Sequence, residues 1–374
     1  MSYDQTRVCN TCFFDTNFPG VVIEDNGRCN HCNSGDFRTN VHQWTDSNPE
    51  QLCIIASQLK EERIRKGAKY DCIIGASGGF DSSYVIYIAK QIMDLNPLVV
   101  SYSNDFTRRI ASDNLQRICH KLKIDLKVVT SKHKYDKQYV KAFMEAFKEV
   151  GSYWGCCEFC GFILNAVIYK FAKENNISTM LNSTNAYEDR ATQYLPKKYK
   201  KDYMLRNIYK IGITKQIKMI YHMAKAQYYY DRFRFEFATP SLIKAIFNRK
   251  TIFSLAPEPA NKYRNSLYGI NKIDVSKYIK WDVDNMINTM EIELGWETPE
   301  MPYLPMRFDC ELEAGLIDQT FRNVTGKTMH TILCNNLIYG GIRTKTDLEE
   351  TVCKYETEVY AESRRLFGKL NIKM

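Results

Sequence analysis

The sequence contains no long hydrophobic run. No apolar stretch among its 374 residues approaches the ~20 residues that span a bilayer. Residues 1–6 lack the charged and apolar regions of a signal peptide. We therefore expect a soluble, cytoplasmic protein without membrane insertion. With 44% hydrophobic and 25% charged residues, the chain is long enough for two or three compact units with a core.

A secretory signal is missing, although cysteine is abundant. With no such signal, the 13 cysteines favour thiolates and metal ligands over disulfides. Low-complexity segments and internal repeats are also lacking. The net charge of +9 favours anionic partners, a class that includes RNA, nucleotide sugars and ATP.

The glycine-rich turn in residues 72–83 lacks lysine. A Walker A loop is excluded, because that motif requires a lysine after its second glycine. An apolar run ends at this turn, and a helix-length apolar segment follows it at 82–93. Glycines let a backbone approach a ligand closely, and the free N–H groups of a helix's first turn attract anions. Serine hydroxyls add donors, and a carboxylate can hold the Mg²⁺ of a polyphosphate. The predicted phosphate and Mg²⁺ ligands are Ser77, Gly78, Gly79, Asp81, Ser82 and Ser83.

Short apolar segments alternate with helix-length segments on both sides of this turn. Such alternation is typical of an α/β fold with a parallel sheet. A nucleotide is then expected across the carboxyl ends of the strands. The predicted strands are 98–102, 126–129 and 178–182, and the predicted helices are 49–66, 110–123, 135–150 and 162–174.

Polar residues follow two of the predicted strands. We expect the polar residues at the end of strand 98–102 to lie near the adenosine. Those at the end of strand 178–182 are expected to contact nucleotide or substrate. Glu188 and Asp189 come next; they either support Mg²⁺, accept a proton from an incoming amine, or cap a helix. The predicted contacts are Ser101, Ser103, Asn104, Asn182 and Thr184.

Four cysteines near the start have the spacing of a metal site. Cys9-x2-Cys12 and Cys29-x2-Cys32 are separated by sixteen residues, and each pair can place two thiolates on one tetrahedral ion. The dipeptide 26–27, Asn-Gly, predicts a hairpin turn before the second pair. We predict a zinc knuckle whose role is structural, because four thiolates leave no open coordination position.

A further pair, Cys157-x2-Cys160, precedes the predicted helix 162–174. The pair forms a second metal or iron–sulfur site, a reactive thiol pair, or part of the core. Cys310 ends a polar and aromatic loop that begins at Tyr303. It either supplies a distant ligand or packs in the core.

The residues Ser77-Gly78-Gly79-Phe80-Asp81-Ser82 match the signature S-G-G-x-D-S. In this they resemble the PP-loop ATP pyrophosphatases, which grip the β and γ phosphates of ATP and release pyrophosphate. The resemblance implies an adenine nucleotide alpha hydrolase-like domain at 50–240. A zinc knuckle at 1–40 would precede it, and a mainly helical region at 241–374 would follow, with helices at 276–294, 312–324 and 346–366.

The chain contains, in order, the knuckle, the signature turn, the mid-chain cysteine pair and a helical tail with Phe308-Asp309-Cys310. In this order it resembles the N-acetyl sugar amidotransferases of lipopolysaccharide and O-antigen biosynthesis. The resemblance implies ATP-dependent conversion of an N-acetyl group on a sugar into an acetamidino group. Its expected cofactors are ATP, Mg²⁺ and Zn²⁺, with a second metal or iron–sulfur cluster left open. The catalytic residues carried over are Ser77, Asp81 and Ser82.

No nitrogen source is encoded in the chain. An amino-terminal glutaminase needs cysteine at position 2, which is Ser2, and none of the six histidines lies in a His-x-Glu pair. We therefore expect ammonia from solution or from a separate glutaminase, through a cyclase-like channel subunit. Nucleic acid is not the expected partner.

Two other functions remain open at this point. One is tRNA 2-thiolation, a branch of the same superfamily in which a third, distant cysteine completes an iron–sulfur cluster. The knuckle, the mid-chain pair and the positive charge favour it. The other is a zinc-containing binding module without catalysis, in which the phosphate turn has no catalytic role.

Overall fold

A five-stranded parallel sheet forms the centre of the molecule. The computed structural model describes residues 6–35, 48–184, 187, 194–236, 270–299 and 308–373. The strands are β1 (Cys72–Gly75), β2 (Pro97–Tyr102), β3 (Asp125–Val129), β4 (Thr179–Asn182) and β5 (Asn271–Asp274). Their order in the sheet is β3-β2-β1-β4-β5. The predicted α/β fold with a parallel sheet, an amino-terminal cysteine cluster and helices near the carboxyl end is confirmed.

The strand order reverses between β1 and β4. From β1 the chain moves outward through β2 to β3, then returns to place β4 on the other side of β1. In this region Ile74 pairs with Val99 on one side and with Leu181 on the other. Loops leave in opposite directions at such a reversal, so a crevice opens at the carboxyl ends of β1 and β4.

Helices cover the sheet. The helix Phe80–Tyr87 continues as a π-helical turn at Ile88–Ile92, and the helix Val283–Thr289 continues as one at Met290–Leu294. Another π-helical turn, Glu313–Ile317, precedes the helix Asp318–Thr325. Among the described residues, no helix is both long and apolar enough to cross a membrane. The helices are α1 (Asn30–Ser34), α2 (Pro49–Lys66), α3 (Phe80–Tyr87), α4 (Arg109–Lys121), α5 (Tyr135–Phe147), α6 (Glu158–Glu174), α7 (Tyr199–Lys210), α8 (Ile213–Glu236), α9 (Val283–Thr289), α10 (Asp318–Thr325), α11 (Met329–Tyr339) and α12 (Lys345–Lys369).

The two faces of the sheet carry separate cores. Successive side chains of a strand point to opposite faces, so Cys72 and Ile74 of β1 join one core and Ile73 joins the other. All three are fully buried. The first core includes α3, α4 and the cysteine cluster, and the second includes α5, α6 and α8. A strand buried on both faces reads as a continuous apolar run, which is why β1 is recognisable from the sequence.

Two elements are not recognisable in this way. Strand β5 has the sequence Asn-Lys-Ile-Asp, with one apolar residue, because an edge strand has only one strand neighbour and is partly exposed. Helix α11 is buried at every position, so it lacks the polar face from which helical periodicity is read. The predicted helix at 276–294 begins only at Val283, after the short 3₁₀ turn Val275–Lys277.

The boundaries 1–40, 50–240 and 241–374 stay a prediction. Strand β5 comes from the third of these regions and pairs with β4 from the second. The segment around Cys310 likewise forms a bridge to Thr107, in the loop after β2. Residues from the third region thus contribute directly to the sheet and its edge.

A buried polar cluster joins α10, α11 and α12. The carboxylate of Asp318 accepts hydrogen bonds from the backbone N–H of His330, at 3.0 Å, and from the hydroxyl of Tyr355. The rings of His330 and Tyr355 stack with centroids 3.9 Å apart. Burial raises the pKa of Asp318 to about 7 and lowers the pKa of His330 to about 3. The folded protein therefore keeps a proton on Asp318 that the unfolded chain releases near pH 4.

We expect Asp318→Asn to change the pH dependence of stability. The raised pKa makes the contribution of Asp318 fall as pH rises from about 4 to about 7, and asparagine has no such titration. The free energy of unfolding of the variant, relative to the native sequence, should therefore rise between about pH 5 and pH 7. Urea unfolding across this range measures it, and His330 is present in both proteins. Parallel stability curves would contradict the expectation.

Candidate functional site

The turn between β1 and α3 depends on two glycines. Gly78 has a φ of +85°, and a Cβ added there would lie 1.8 Å from the carbonyl oxygen of Ala111 in α4. Gly79 is extended and precedes the first residue of α3, Phe80. The backbone therefore bends sharply against α4, and the first turn of α3 points its N–H groups toward the carboxyl edge of the sheet.

Two serine hydroxyls close this turn. The backbone N–H of Gly79 donates to Ser77 Oγ at 3.3 Å, and that of Ser77 donates to Ser82 Oγ at 3.3 Å. The Ser82 hydroxyl donates to the carbonyl oxygen of Gly79 at 3.2 Å. These hydroxyls hold the loop in shape and lie where an anion would meet them.

A cavity of about 440 Å³ opens beside the turn, at the carboxyl ends of β1 and β4. Its volume lies in the range of small-molecule sites. It lies in the crevice expected where the strand order reverses. Its lining is Ala76, Ser77, Gly79, Phe80, Asp81, Ser82, Tyr102, Asn104, Thr107, Cys157, Cys160, Gly161, Leu164, Ser183, Thr184, Asp309, Cys310 and Glu313.

Three carboxylates line this cavity: Asp81, Asp309 and Glu313. Asp309 lies directly against the signature turn, Ser77 to Ser82, since a Cβ on Gly79 would be 3.3 Å from Asp309 Cγ. Its backbone is fixed there, because the N–H of Arg108 donates to the Asp309 carbonyl at 3.0 Å. Carboxylate oxygens are preferred Mg²⁺ ligands, and Asp309 adds one that the motif around Asp81 does not reveal.

Three cysteines reach the same cavity. Cys157 and Cys160 come from the start of α6, and Cys310 comes from the segment bridged to Thr107. The side-chain amide of Asn104 donates to Cys160 Sγ at 3.4 Å. Burial raises the pKa of Cys310 to about 12 and those of Cys157 and Cys160 well above the usual value. Without a bound cation these thiols hold their protons at neutral pH, because burial outweighs the effect of the helix terminus.

The other predicted contacts are distributed unevenly. Thr184 lines the cavity, with Ser183 beside it, whereas Asn182 donates to Asp274 of β5 at 2.7 Å. Strand alternation turns Ser101 away and brings its neighbour Tyr102 to the lining. The predicted contacts that do not line the cavity are Gly78, Ser83, Ser101, Ser103 and Asn182. Glu188 and Asp189 lie outside the described residues. Nucleotide contacts by these residues stay a prediction.

The first four cysteines form a compact cluster. Cys9 Sγ lies 3.7 Å from Cys32 Sγ, Cys12 Sγ lies 3.6 Å from Cys29 Sγ, and all four sulfurs are within 4.8 Å of one another. Four thiolates at this separation suit one tetrahedral ion. The predicted hairpin is confirmed by the bridge between Ile23 and Cys29. In the described part of the chain, no other set of three or more such ligands is this tight.

Helix α11 holds this cluster against the rest of the protein. The hydroxyl of Tyr339 donates to Cys12 Sγ at 3.2 Å, and the N–H of Phe13 donates to Asn335 Oδ1 at 2.8 Å. His31 is not one of the four ligands; its ring lies 5.0 Å from that of Tyr194. The cluster thereby contacts the chain that follows β4, at Tyr194. A structural ion would be expected to stabilise these contacts.

No protein-family model matches this chain. An uncharacterized protein from Methanocaldococcus jannaschii is 27% identical over 109 residues, which is 29% of this chain. The chain spans 36% of the length of that relative.

Three solved structures share low similarity with it. The NH₃-dependent NAD synthetase from Campylobacter jejuni has 16% identity and a TM-score of 0.30, over 55% of this chain and 94% of that one. The NMN synthetase from Francisella tularensis has 14% identity and a TM-score of 0.28, over 52% and 98%. The U34-tRNA thiolase from Methanococcus maripaludis, solved with its 4Fe–4S cluster, has 11% identity and a TM-score of 0.33, over 98% and 90%. Scores this low assign neither fold nor function, so the fold rests on the strand order of the chain itself.

We expect Gly78→Ala to destabilise the protein by about 3 kcal/mol or more, because the added Cβ meets the backbone of α4 and φ is positive. Gly368→Ala in α12 is the matched control, since a Cβ there meets nothing within 4 Å. Urea unfolding measures both variants. A Gly78→Ala protein as stable as the Gly368→Ala control would contradict the described turn.

We expect Cys12→Ser to remove the ion of the amino-terminal cluster, because it deletes one of four thiolates. Elemental analysis of the purified protein should show about one equivalent of metal lost, with a lowered Tm. Cys53→Ser is the control, since Cys53 is exposed and outside the cluster. The same analysis distinguishes zinc from iron. Full metal content in Cys12→Ser would be inconsistent with a four-thiolate site.

Proposed function

We propose that this protein is a PP-loop ATP pyrophosphatase that converts the N-acetyl group of a sugar into an acetamidino group. The sugar is a nucleotide sugar or a nonulosonic acid destined for surface polysaccharide, and the products from ATP are AMP and pyrophosphate. The observation that carries the proposal is the position of the signature turn, Ser77 to Ser82, on a cavity at the strand reversal.

The turn supplies what a polyphosphate requires. Gly78 and Gly79 remove side chains from the approach, and the first turn of α3 contributes backbone N–H donors. Ser77 and Ser82 add hydroxyls. Asp81 and Asp309 both line the cavity and would hold Mg²⁺, which neutralises phosphate charge. Negative charge develops on the phosphates during adenylyl transfer, and donors fixed in advance stabilise it.

The proposed chemistry proceeds in two displacements. The acetamido oxygen attacks the α phosphorus of ATP, the bond from that phosphorus to the bridging oxygen breaks, and pyrophosphate leaves. Ammonia then adds to the carbon of the O-adenylyl imidate. AMP departs with the original oxygen, and loss of a proton leaves the acetamidino group. Ser183, Thr184 and Glu313 line the same cavity and are the side chains that would face the sugar.

A separate glutaminase, with a cyclase-like channel subunit, remains the proposed source of ammonia. The thiols of Cys157, Cys160 and Cys310 have raised pKa values in the buried cavity. Protonated thiols are poor nucleophiles, so these cysteines do not suit the glutamine-hydrolysing role. Cytoplasmic localisation, where ATP and nucleotide sugars are made, is part of this proposal.

A second candidate is tRNA 2-thiolation. It is favoured by the convergence of Cys157, Cys160 and Cys310 on the cavity that carries the phosphate turn. The three sulfurs do not all lie within 4.8 Å of one another, which disfavours a single ion shared by all three. They would then hold an iron–sulfur cluster, which supplies a site for sulfur next to the adenylylated base.

One incubation distinguishes the candidates. The purified chain is given ATP, Mg²⁺, ammonium and a panel of N-acetylated nucleotide sugars and nonulosonic acids. Amidation predicts a sugar whose mass falls by the difference between oxygen and NH. A colourless protein that does this supports the first proposal. A brown protein that is inactive on every sugar, binds tRNA and loses its colour in Cys310→Ser supports the second.

We expect Asp81→Asn and Asp309→Asn each to lower kcat/KM for ATP by about 100-fold, because each removes a carboxylate from the phosphate edge. Added Mg²⁺ should recover part of the loss. Asp94→Asn is the control, since Asp94 is exposed and pairs with Lys60 at the surface, at 2.8 Å. Activity of Asp309→Asn equal to that of the control would remove Asp309 from the site.

A further inference from the structure

Trp296 is a buried tryptophan that contacts the signature turn from the core. It comes two residues after the π-helical turn Met290–Leu294 and is 2% exposed. Its indole N–H donates to the carbonyl oxygen of Gly78 at 3.4 Å. Trp296 belongs to the core on that side of the sheet and does not line the cavity. Its effect on a ligand there must therefore be exerted through the turn.

The backbone around Trp296 is fixed by two side chains of α4. Arg117 donates to the carbonyl oxygen of Gly295 at 2.7 Å. The side-chain amide of Asn114 donates to the carbonyl oxygen of Glu297, and its Oδ1 accepts from the Glu297 N–H, both at 2.9 Å. Asn114 is fully buried. Helix α4 therefore holds the chain on both sides of Trp296.

The carbonyl that Trp296 binds belongs to the peptide group between Gly78 and Gly79. The N–H of Gly79 is part of the same group, and in a trans peptide it points away from the carbonyl oxygen. That N–H donates to Ser77 Oγ at 3.3 Å, and both Ser77 and Gly79 line the cavity. The bond to Trp296 thus directs the Gly79 N–H to the side where the phosphates of ATP are proposed to bind.

A peptide group between two glycines rotates easily, because neither residue has a Cβ to oppose the rotation. Rotation of this group would turn the Gly78 carbonyl oxygen toward the cavity and the Gly79 N–H away from it. A phosphate would then meet a partial negative charge in place of a donor. A hydrogen bond from the core to the Gly78 carbonyl opposes this rotation.

The indole ring also contacts the residues beside the two proposed Mg²⁺ ligands. Its centroid lies 6.2 Å from that of Phe80, the residue before Asp81. It lies 5.6 Å from that of Phe308, the residue before Asp309. Both phenylalanine rings are fully buried and meet the indole edge to face. Trp296 thus packs between the two backbone segments that bring these carboxylates to the cavity.

We propose that Trp296 is a positioning residue for the phosphates of ATP, because its indole N–H locks the peptide group after Gly78 with the Gly79 N–H directed to the cavity. The inference rests on the proposed binding of ATP at the signature turn. It adds to that proposal a residue from distant sequence that acts without touching the nucleotide.

Two variants remove the N–H donor. Trp296→Phe keeps an aromatic ring, and Trp296→benzothienylalanine keeps the shape of the indole with sulfur in place of N–H. Trp281→Phe is the matched control, since Trp281 is buried in the same core and its N–H donates to no described residue. Calorimetry in the presence of Mg²⁺ measures the binding of ATP, pyrophosphate and AMP to the full chain. Urea unfolding measures the stability of each variant.

We expect both Trp296 variants to bind ATP and pyrophosphate about tenfold more weakly, because an oriented donor to a charged group is lost. Binding of AMP, which lacks the β and γ phosphates, should change by less than about twofold, as should all binding by Trp281→Phe.

Unchanged affinity of the benzothienylalanine variant for ATP and pyrophosphate overturns the inference, even if Trp296→Phe is too unstable to assay. An equal loss for AMP, or an equal loss in Trp281→Phe, also overturns it, because a general loosening of the core would act in this way. A native chain that binds neither ATP nor pyrophosphate contradicts the proposed function, and the inference with it.

Discussion

The structure depends on the close contact between the backbone of Gly78 and the carbonyl of Ala111. At this point β1 ends, α4 lies directly beneath the chain, and no side chain can be accommodated. Because the turn is forced against α4, the first turn of α3 faces the carboxyl edge of the sheet at the place where the strand order reverses. The open side of the same turn faces the cavity. The contact of Gly78 with Ala111 thus fixes both the path of the chain after β1 and the position of the candidate site.

The remaining parts of the site come from distant sequence and are fixed by backbone contacts. The segment around Asp309 and Cys310 is bonded to the loop after β2, which brings a carboxylate and a thiol to the phosphate turn. On the other side, the cysteine cluster contacts α11 through Tyr339 and the chain after β4 through His31 and Tyr194. The cysteine cluster is therefore fixed by packing against α11 and the chain after β4.

The sequence reveals those features whose signals are local. Helix α2 has its predicted bounds, because Asn48 caps its start, where the side chain accepts from Gln51 N, and Gly67 ends it. The four-cysteine spacing and the signature turn are also local. Asp309 has no local signal, since its role arises from a contact with Gly79 some 230 residues earlier in the chain. Strand β5 and helix α11 are not predicted from the sequence. Strand β5 is too polar, and helix α11 too uniformly apolar, to show a periodic pattern of hydrophobic residues.

We propose that the signature turn holds ATP so that its α phosphorus is attacked. Phosphorus NMR of ATP turnover by the purified chain, with ammonium and the N-acetylated sugar panel, tests this most directly. We expect AMP and pyrophosphate in equal amounts, formed only when an acceptor is present. ADP and orthophosphate as the products would contradict it.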